Sequence, residues 1–368
     1  MSRSREEGFI GPWQGAILLW FSELPTALLF LPALIVSRAQ QDAWMSVVLA
    51  IVFTLPLALL LGWLLYRFPG RTLFQVAETV LGKILGKAMT LFYVLAFVQW
   101  NAIVLREFGE FLVAAVMPET PLIVFTVTLM VLAVYAARNG LEVIARSAQF
   151  ILPLMVSFFL IVLVLATPKM SLRNLFPLLE GGLGPLLLGA FITLGSTGEI
   201  IVISVVGAFL QQPEGVKRSL ILGLAGILFF LVLGVMGGVL VFGACEAGRL
   251  TFPAFSLARV ISIGNFLERI EVLFMAIWVG GIFIKVTLNL YIAALGLATA
   301  ADLREYRPLC APLAALVVVL SVWLFDNLTG VLFYLEQVLP VWALLWQWTV
   351  PAALALTAVI RKVEGSRT

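Results

Sequence analysis

Long apolar runs separated by short polar connections dominate this chain and decide what it can fold into. The 368 residues are 62% hydrophobic and 12% charged, whereas soluble domains carry about 25% charged residues. Most of the runs have roughly the 17–25 residues that a helix needs to cross a bilayer. The sequence therefore predicts an all-α integral membrane protein, a single domain over 1–368 with ten transmembrane helices. The predicted spans are 12–36, 43–66, 86–116, 121–137, 141–166, 185–210, 218–244, 267–299, 309–325 and 331–360.

Two further segments have an amphipathic pattern. RTLFQVAETVLGK (71–83) precedes span 3, and PAFSLARVISI (253–263) precedes span 8. One apolar stripe and one polar face are typical of a helix that lies on a surface. We therefore expect two short surface helices, on opposite faces of the membrane.

The basic residues indicate the orientation. If the N-terminus lies in the cytoplasm, fifteen of the 23 lysines and arginines fall in cytoplasmic segments and seven outside, with Lys285 alone in mid-span. Because cytoplasmic loops are enriched in basic residues, both termini are expected to be cytoplasmic. The net charge of +3 is spread over these loops, so it indicates topology and predicts no nucleic-acid partner.

The first span of each predicted half contains a helix-breaking segment with one carboxylate. Span 1 has FSELPT (21–26), with Glu23, and span 6 has LGSTGE (194–199), with Glu199. Interrupted helices at matching positions of two inverted halves indicate a transporter-type binding site at mid-membrane. The pattern predicts a five-plus-five inverted repeat, 12–166 and 185–360, with helices 1 and 6 broken. Freed backbone groups beside carboxylates suit a zwitterion. The alternative is that each segment marks only a kink.

Three charged residues are predicted near the middle of the membrane: Glu23, Glu199 and Lys285. A charge at this depth costs about 2.5–3.5 kcal/mol on insertion scales and normally has a partner. Lys285 is expected to neutralise one glutamate, with Glu23 favoured, while the other glutamate carries a proton. The alternative is a static ion pair that fixes helix packing.

Other polar residues have simpler interpretations. Arg106, Glu107 and Glu110 near the end of span 3 are interpreted as a solvated rim. The chain has no histidine and two cysteines, Cys245 and Cys310, which makes a metal site or a disulfide improbable. No nucleophile or phosphate-binding motif is present in the sequence. We therefore expect no metal, no cofactor and no enzyme activity.

Three stretches carry a resemblance to a known family. FPLLEGGLGPLL (176–187), GEIIVISVVGAF (198–209) and FPAFSLARVISIGNFLERIEVLFMAIWV (252–279) resemble the permease-type spore germination proteins, the B subunits of germinant receptors in the amino acid–polyamine–organocation superfamily. The resemblance implies a LeuT-like fold in the spore inner membrane or cell membrane, A and C subunits as partners, and a small ligand, an amino acid being expected, between helices 1, 3, 6 and 8. Pro25 departs from the small residue usual in the superfamily.

Carried onto this sequence, the resemblance favours thirteen ligand-binding residues, with Lys285 as their charge partner. They are Ser22, Glu23, Leu24, Pro25, Thr26, Tyr93, Gly195, Ser196, Thr197, Gly198, Glu199, Asn289 and Tyr291. Two functions fit such a site: a sensor subunit that binds a germinant and signals to its partners, or a proton-coupled amino-acid transporter.

Overall fold

The computed structural model describes residues 8–211, 214–261 and 270–364, and these are almost entirely helical. Sixteen α-helices run in chain order: α1 Pro12–Ala39, α2 Ala43–Arg67, α3 Leu73–Leu81, α4 Lys83–Ala115, α5 Leu122–Arg138, α6 Leu141–Ala166, α7 Leu183–Thr197, α8 Ile203–Val206, α9 Glu214–Phe242, α10 Ala244–Ala247, α11 Pro253–Val260, α12 Ile270–Ala300, α13 Cys310–Trp323, α14 Leu328–Phe333, α15 Leu339–Ala343 and α16 Val350–Ile360.

Every predicted span coincides with helix in the described ranges. Seven apolar helical stretches are long enough to cross a membrane, and two shorter apolar helices, Leu122–Arg138 and Arg307–Trp323, accompany them. The stretch Pro12–Arg67 contains two spans, because its 56 residues far exceed the roughly 20 that one crossing needs. The ten predicted spans are therefore confirmed as helices. The start of span 8, 267–269, lies outside the described residues.

The first span is not broken, and this part of the prediction is wrong. Helix α1 continues from Pro12 to Ala39 through both Pro25 and Pro32. A proline removes one backbone donor from a helix and need not unwind it when neighbours compensate. Two side-chain hydrogen bonds end on carbonyl oxygens of the same segment: Ser22 Oγ donates to the Leu19 carbonyl oxygen at 2.8 Å, and the Trp278 indole donates to the Pro25 carbonyl oxygen at 2.6 Å.

The sixth span does change its geometry inside the predicted segment. Helix α7 ends at Thr197, and a 3₁₀-helix follows over Gly198–Val202, then α8 and a second 3₁₀ turn, Gly207–Phe209. This break is tightened helix rather than unwound chain. It leaves the backbone hydrogen-bonded while Glu199 points from a turn that is narrower than an α-helix.

The tenth span is interrupted by two wide turns. Between α14 and α16, π-helical turns cover Tyr334–Val338 and Leu344–Thr349, with α15 between them. Such π-turns occur often at functional sites in helices. Here α15 and the second π-turn face the irregular sixth span, since a β-carbon on Gly195 would lie 3.0 Å from Pro340 Cα and one on Gly198 would lie 1.9 Å from Gln347 Oε1.

The two amphipathic segments form short helices as predicted, α3 and α11; residues 262 and 263 of the second lie outside the described residues. Helix α3 begins with a capping box, in which Thr72 and Gln75 satisfy each other's backbone N–H groups. The inverted repeat over 12–166 and 185–360 and the cytoplasmic termini stay predictions.

Candidate ligand-binding site

Lys285 of α12 is the centre of a buried polar group that we call the charged cluster: Glu23, Thr26, Ser196, Glu199 and Lys285. The Lys285 ammonium donates to Thr26 Oγ1 at 2.6 Å and lies 2.9 Å from both Oε1 and Oε2 of Glu199. Lys285 is 0% exposed and Glu199 2%. The cluster joins α1, the sixth span and α12, so three distant parts of the chain meet on one ammonium group.

Glu23 has a different partner from the one expected. Its Oε1 accepts a hydrogen bond of 2.5 Å from Ser196 Oγ, and no described group lies within hydrogen-bond distance of its Oε2. The favoured Glu23–Lys285 pair is therefore wrong. Residues three apart lie on the same face of a helix. On this face Ser196 contacts Glu23 of α1, and Glu199 contacts Lys285 of α12.

The interpretation of Arg106, Glu107 and Glu110 as a solvated rim is also wrong. Arg106 is 5% exposed and Glu107 1%. The Arg106 guanidinium contacts Glu110 Oε1 at 2.7 Å and donates to the carbonyl oxygens of Ser321 and Val322, on α13. These carbonyls near the C-terminus of α13 attract a cation, which explains how arginine can be buried there. Glu107 shares none of these contacts, and its Oε2 has no hydrogen-bond partner among the described residues.

A small cavity of about 20 Å³ lies beside the charged cluster. Its polar walls are Thr26, Trp100, Glu107 and Ser196, and its other walls are apolar side chains of α1, α7 and the tenth span. A cavity of this volume holds about one water-sized group. A whole amino acid therefore does not fit in this cavity unless its walls separate.

A larger cavity of about 60 Å³ is apolar and lies on the other side of α1. Leu24, Pro25, Phe230 and Trp278 are among its walls, and Glu23, Glu199 and Lys285 are not. The predicted ligand-binding residues of span 1 therefore lie in two different places. Leu24 and Pro25 line the apolar cavity, while Glu23 and Thr26 belong to the charged cluster.

The remaining predicted site residues lie mostly outside the charged cluster. Tyr93 is fully buried and donates its hydroxyl to the Trp346 carbonyl oxygen at 2.9 Å, which directs it to the tenth span. Gly195 and Gly198 face the tenth span as well, and Thr197 shares a hydrogen bond of 2.8 Å with Thr54 of α2.

The two predicted residues that follow Lys285 in α12 point in different directions. Asn289 lies one turn beyond Lys285 and is 1% exposed, with no described partner for its Nδ2. Tyr291 packs edge-on against Tyr306, with 5.2 Å between the ring centroids.

Glu107 is a site residue that was not predicted from the sequence, whereas Trp100 shares the predicted face of span 3 with Tyr93. The Trp100 ring centroid lies 5.3 Å from Lys285 Nζ, within the distance of a cation–π contact. A signal for Glu107 was present, because Tyr93, Trp100 and Glu107 are spaced by seven residues, which places them on one face of α4. Extending the helix face of Tyr93 and Trp100 by seven more residues reaches Glu107, and this would have predicted that Glu107 is buried.

A bundle of apolar helices around a buried charged cluster defines an integral membrane protein with a transporter-type fold. Solved structures confirm this fold. A nucleobase-cation-symport-1 family transporter, MHP1, is similar with a TM-score of 0.71 and 13% identity, over 97% of this chain and 80% of that one. MhsT in complex with L-phenylalanine has a TM-score of 0.67 and 11% identity, over 96% and 98%.

The chain belongs to the spore germination protein family, whose model matches residues 10–328. Two relatives from Bacillus subtilis (strain 168) are similar along most of their length. "Spore germination protein KB" is 29% identical, over 94% of this chain and 93% of that protein, and "Putative spore germination protein YfkT" is 27% identical, over 89% and 90%.

Proposed function

We propose that this protein is the membrane sensor subunit of a germinant receptor and binds a small zwitterion, such as an amino acid, beside the charged cluster. The observation that carries the proposal is the Lys285–Glu199–Thr26 contact next to a small cavity. Buried charges in membrane helices are costly and mark binding sites or pathways by default. Membership of the spore germination family supports a role in germination.

The charges of the described residues favour a ligand with an amine. Glu23, Glu107 and Glu199 are buried near one ammonium, that of Lys285. A zwitterion supplies both the positive group that these carboxylates accept and a carboxylate that the ammonium of Lys285 attracts. A relative of this fold, MhsT, binds L-phenylalanine, which supports the amino-acid class.

A binding screen tests the proposal. The purified protein in lipid nanodiscs is titrated with each standard amino acid, and its thermal unfolding is followed. At least one amino acid is expected to stabilise it saturably. Glu199→Gln should abolish that stabilisation, while Glu142→Gln, a surface carboxylate paired with Arg146, should preserve it. Binding by no amino acid, or equal binding by the Glu199 variant, contradicts the proposal.

The second candidate is a proton-coupled amino-acid transporter, which the similarity to transporters of known structure favours. Uptake into proteoliposomes under an imposed pH gradient separates the two functions. A sensor binds without uptake, and a transporter accumulates the amino acid. The A and C subunits proposed as partners should co-purify with the sensor from spore inner membranes, where we propose that both of its termini are cytoplasmic.

A further inference from the structure

Glu107 presents an unsatisfied carboxylate oxygen at the centre of the bundle. It is 1% exposed and lines the small cavity of about 20 Å³, and its Oε2 has no hydrogen-bond partner among the described residues. A buried polar atom without a partner is costly, and more so when it is charged. The cavity wall is therefore incomplete until another group occupies the space.

Among the described residues, no lysine or arginine forms an ion pair with Glu107. Lys285 lies against Glu199. Arg106 is adjacent in sequence, but its guanidinium is bound to Glu110 and to α13 carbonyl oxygens. A guest with one positive charge would offset the charge of Glu107, as oppositely charged partners do for buried ions elsewhere.

The walls favour an ammonium group over a metal ion. Calcium takes about six to eight oxygen ligands, and magnesium demands near-octahedral oxygen coordination. The polar walls here offer only Glu107 and the hydroxyls of Thr26 and Ser196, and the other walls are largely apolar. The described ranges also contain no group of three or more His, Cys, Asp or Glu that could hold a metal ion. The Trp100 ring adds a surface that attracts organic cations.

We propose that Glu107 is the residue that binds the primary ammonium group of the ligand, with Trp100, Thr26 and Ser196 completing its surroundings. This inference rests on the proposed function and names the recognition group of the same site. The cavity, with a volume of about 20 Å³, admits the ammonium head alone. The apolar side chains behind it then contact the ligand's carbon body once the walls separate.

Methylammonium is the probe, since it is small enough to enter with little rearrangement. Thermal unfolding of the purified protein in nanodiscs is measured with methylammonium, sodium or potassium chloride at matched ionic strength. Methylammonium should stabilise the parent and Glu142→Gln equally, and sodium and potassium should not. Glu107→Gln should bind at least about tenfold more weakly, because an amide replaces a charge-assisted hydrogen bond with a neutral one. Glu107→Asp, which keeps the charge, should recover part of the affinity if the Gln variant fails to fold.

Several outcomes overturn the inference. Equal methylammonium stabilisation of the parent and Glu107→Gln removes Glu107 from recognition, and no stabilisation of the parent removes the ammonium site. A larger effect of sodium or potassium identifies an inorganic ion site instead. If an amino acid binds the parent and Glu107→Gln equally, the inference fails while the proposed function stands. If no amino acid binds, the proposed function fails while the methylammonium measurement still reports on Glu107.

Discussion

The indole N–H of Trp278 donates a 2.6 Å hydrogen bond to the carbonyl oxygen of Pro25. Trp278 lies seven residues before Lys285, so the two share one face of α12. Pro25 immediately precedes Thr26, which accepts from Lys285. Two hydrogen bonds therefore join α1 and α12, one from the Trp278 indole and one from the Lys285 ammonium group.

Trp278→Phe should lower the free energy of unfolding by about 1 kcal/mol, the net worth of a typical hydrogen bond. The phenyl ring can keep the packing against Phe108 and Phe111 that the indole has now. Denaturant unfolding in detergent measures the change. Trp323→Phe is the control, because Trp323 is 79% exposed. An equal effect of the two variants would show that the Pro25 contact contributes nothing.

The Lys285–Glu199 pair should behave as a coupled unit in stability. Removing one partner of a buried ion pair costs about 3–5 kcal/mol, because the other charge is left uncompensated. Lys285→Met and Glu199→Gln should each be strongly destabilising. The double variant should be much less destabilised than the sum of the two. Unfolding free energies of all four proteins give the coupling, and additive losses would exclude a direct pair.

Gly198→Ala should destabilise the protein by about 1–3 kcal/mol, the usual cost of overpacking. Gly198 has an ordinary helical backbone, with φ −67°, so the cost comes from the 1.9 Å approach of a new β-carbon to Gln347 Oε1. Gln347→Ala in the same protein should restore much of the loss.

Gly184→Ala, in the same helix α7, is the matched control for this substitution. A β-carbon there would have no neighbour within 4 Å, and alanine should stabilise the helix by up to about 1 kcal/mol. Thermal unfolding compares the two alanine variants. If Gly184→Ala destabilised as much as Gly198→Ala, contact with the tenth span would not be the cause.

Arg106→Met should cost several kcal/mol, about 3–5 by analogy with other buried pairs that lose one partner. It leaves Glu110 and the α13 carbonyl oxygens without their donor. Arg146→Met, at an exposed pair with Glu142, should change stability by less than about 1 kcal/mol. Equal losses in these two variants would mean that burial at Arg106 has no energetic consequence.

The sequence predicted the ten spans because an apolar run of membrane-spanning length leaves few alternatives to a helix. It did not predict the continuity of α1. A proline in a membrane helix is compatible with a kink or with a continuous helix, and the packing of neighbouring helices decides between the two.

The sequence placed Glu23, Glu199 and Lys285 near one another, but not their pairing. The pairing depends on side-chain geometry: Ser196 donates a hydrogen bond to Glu23, and Glu199 forms the ion pair with Lys285. Glu107 was misjudged because a carboxylate beside Arg106 and Glu110 gives the same local pattern at a solvated rim as inside a bundle. The contacts of Arg106 with α13 distinguish the two in the structure, and in the sequence the seven-residue spacing of Trp100 and Glu107 was the available signal.

The two π-turns of the tenth span have a consequence for how that span can move. Each holds one residue more than an α-helical turn, and each residue corresponds to about 100° of rotation around the helix axis. Returning the first turn, Tyr334–Val338, to α spacing would rotate Trp346 and Gln347 by about that angle. The side of the tenth span that meets Gly198 therefore depends on how many residues each of these turns holds.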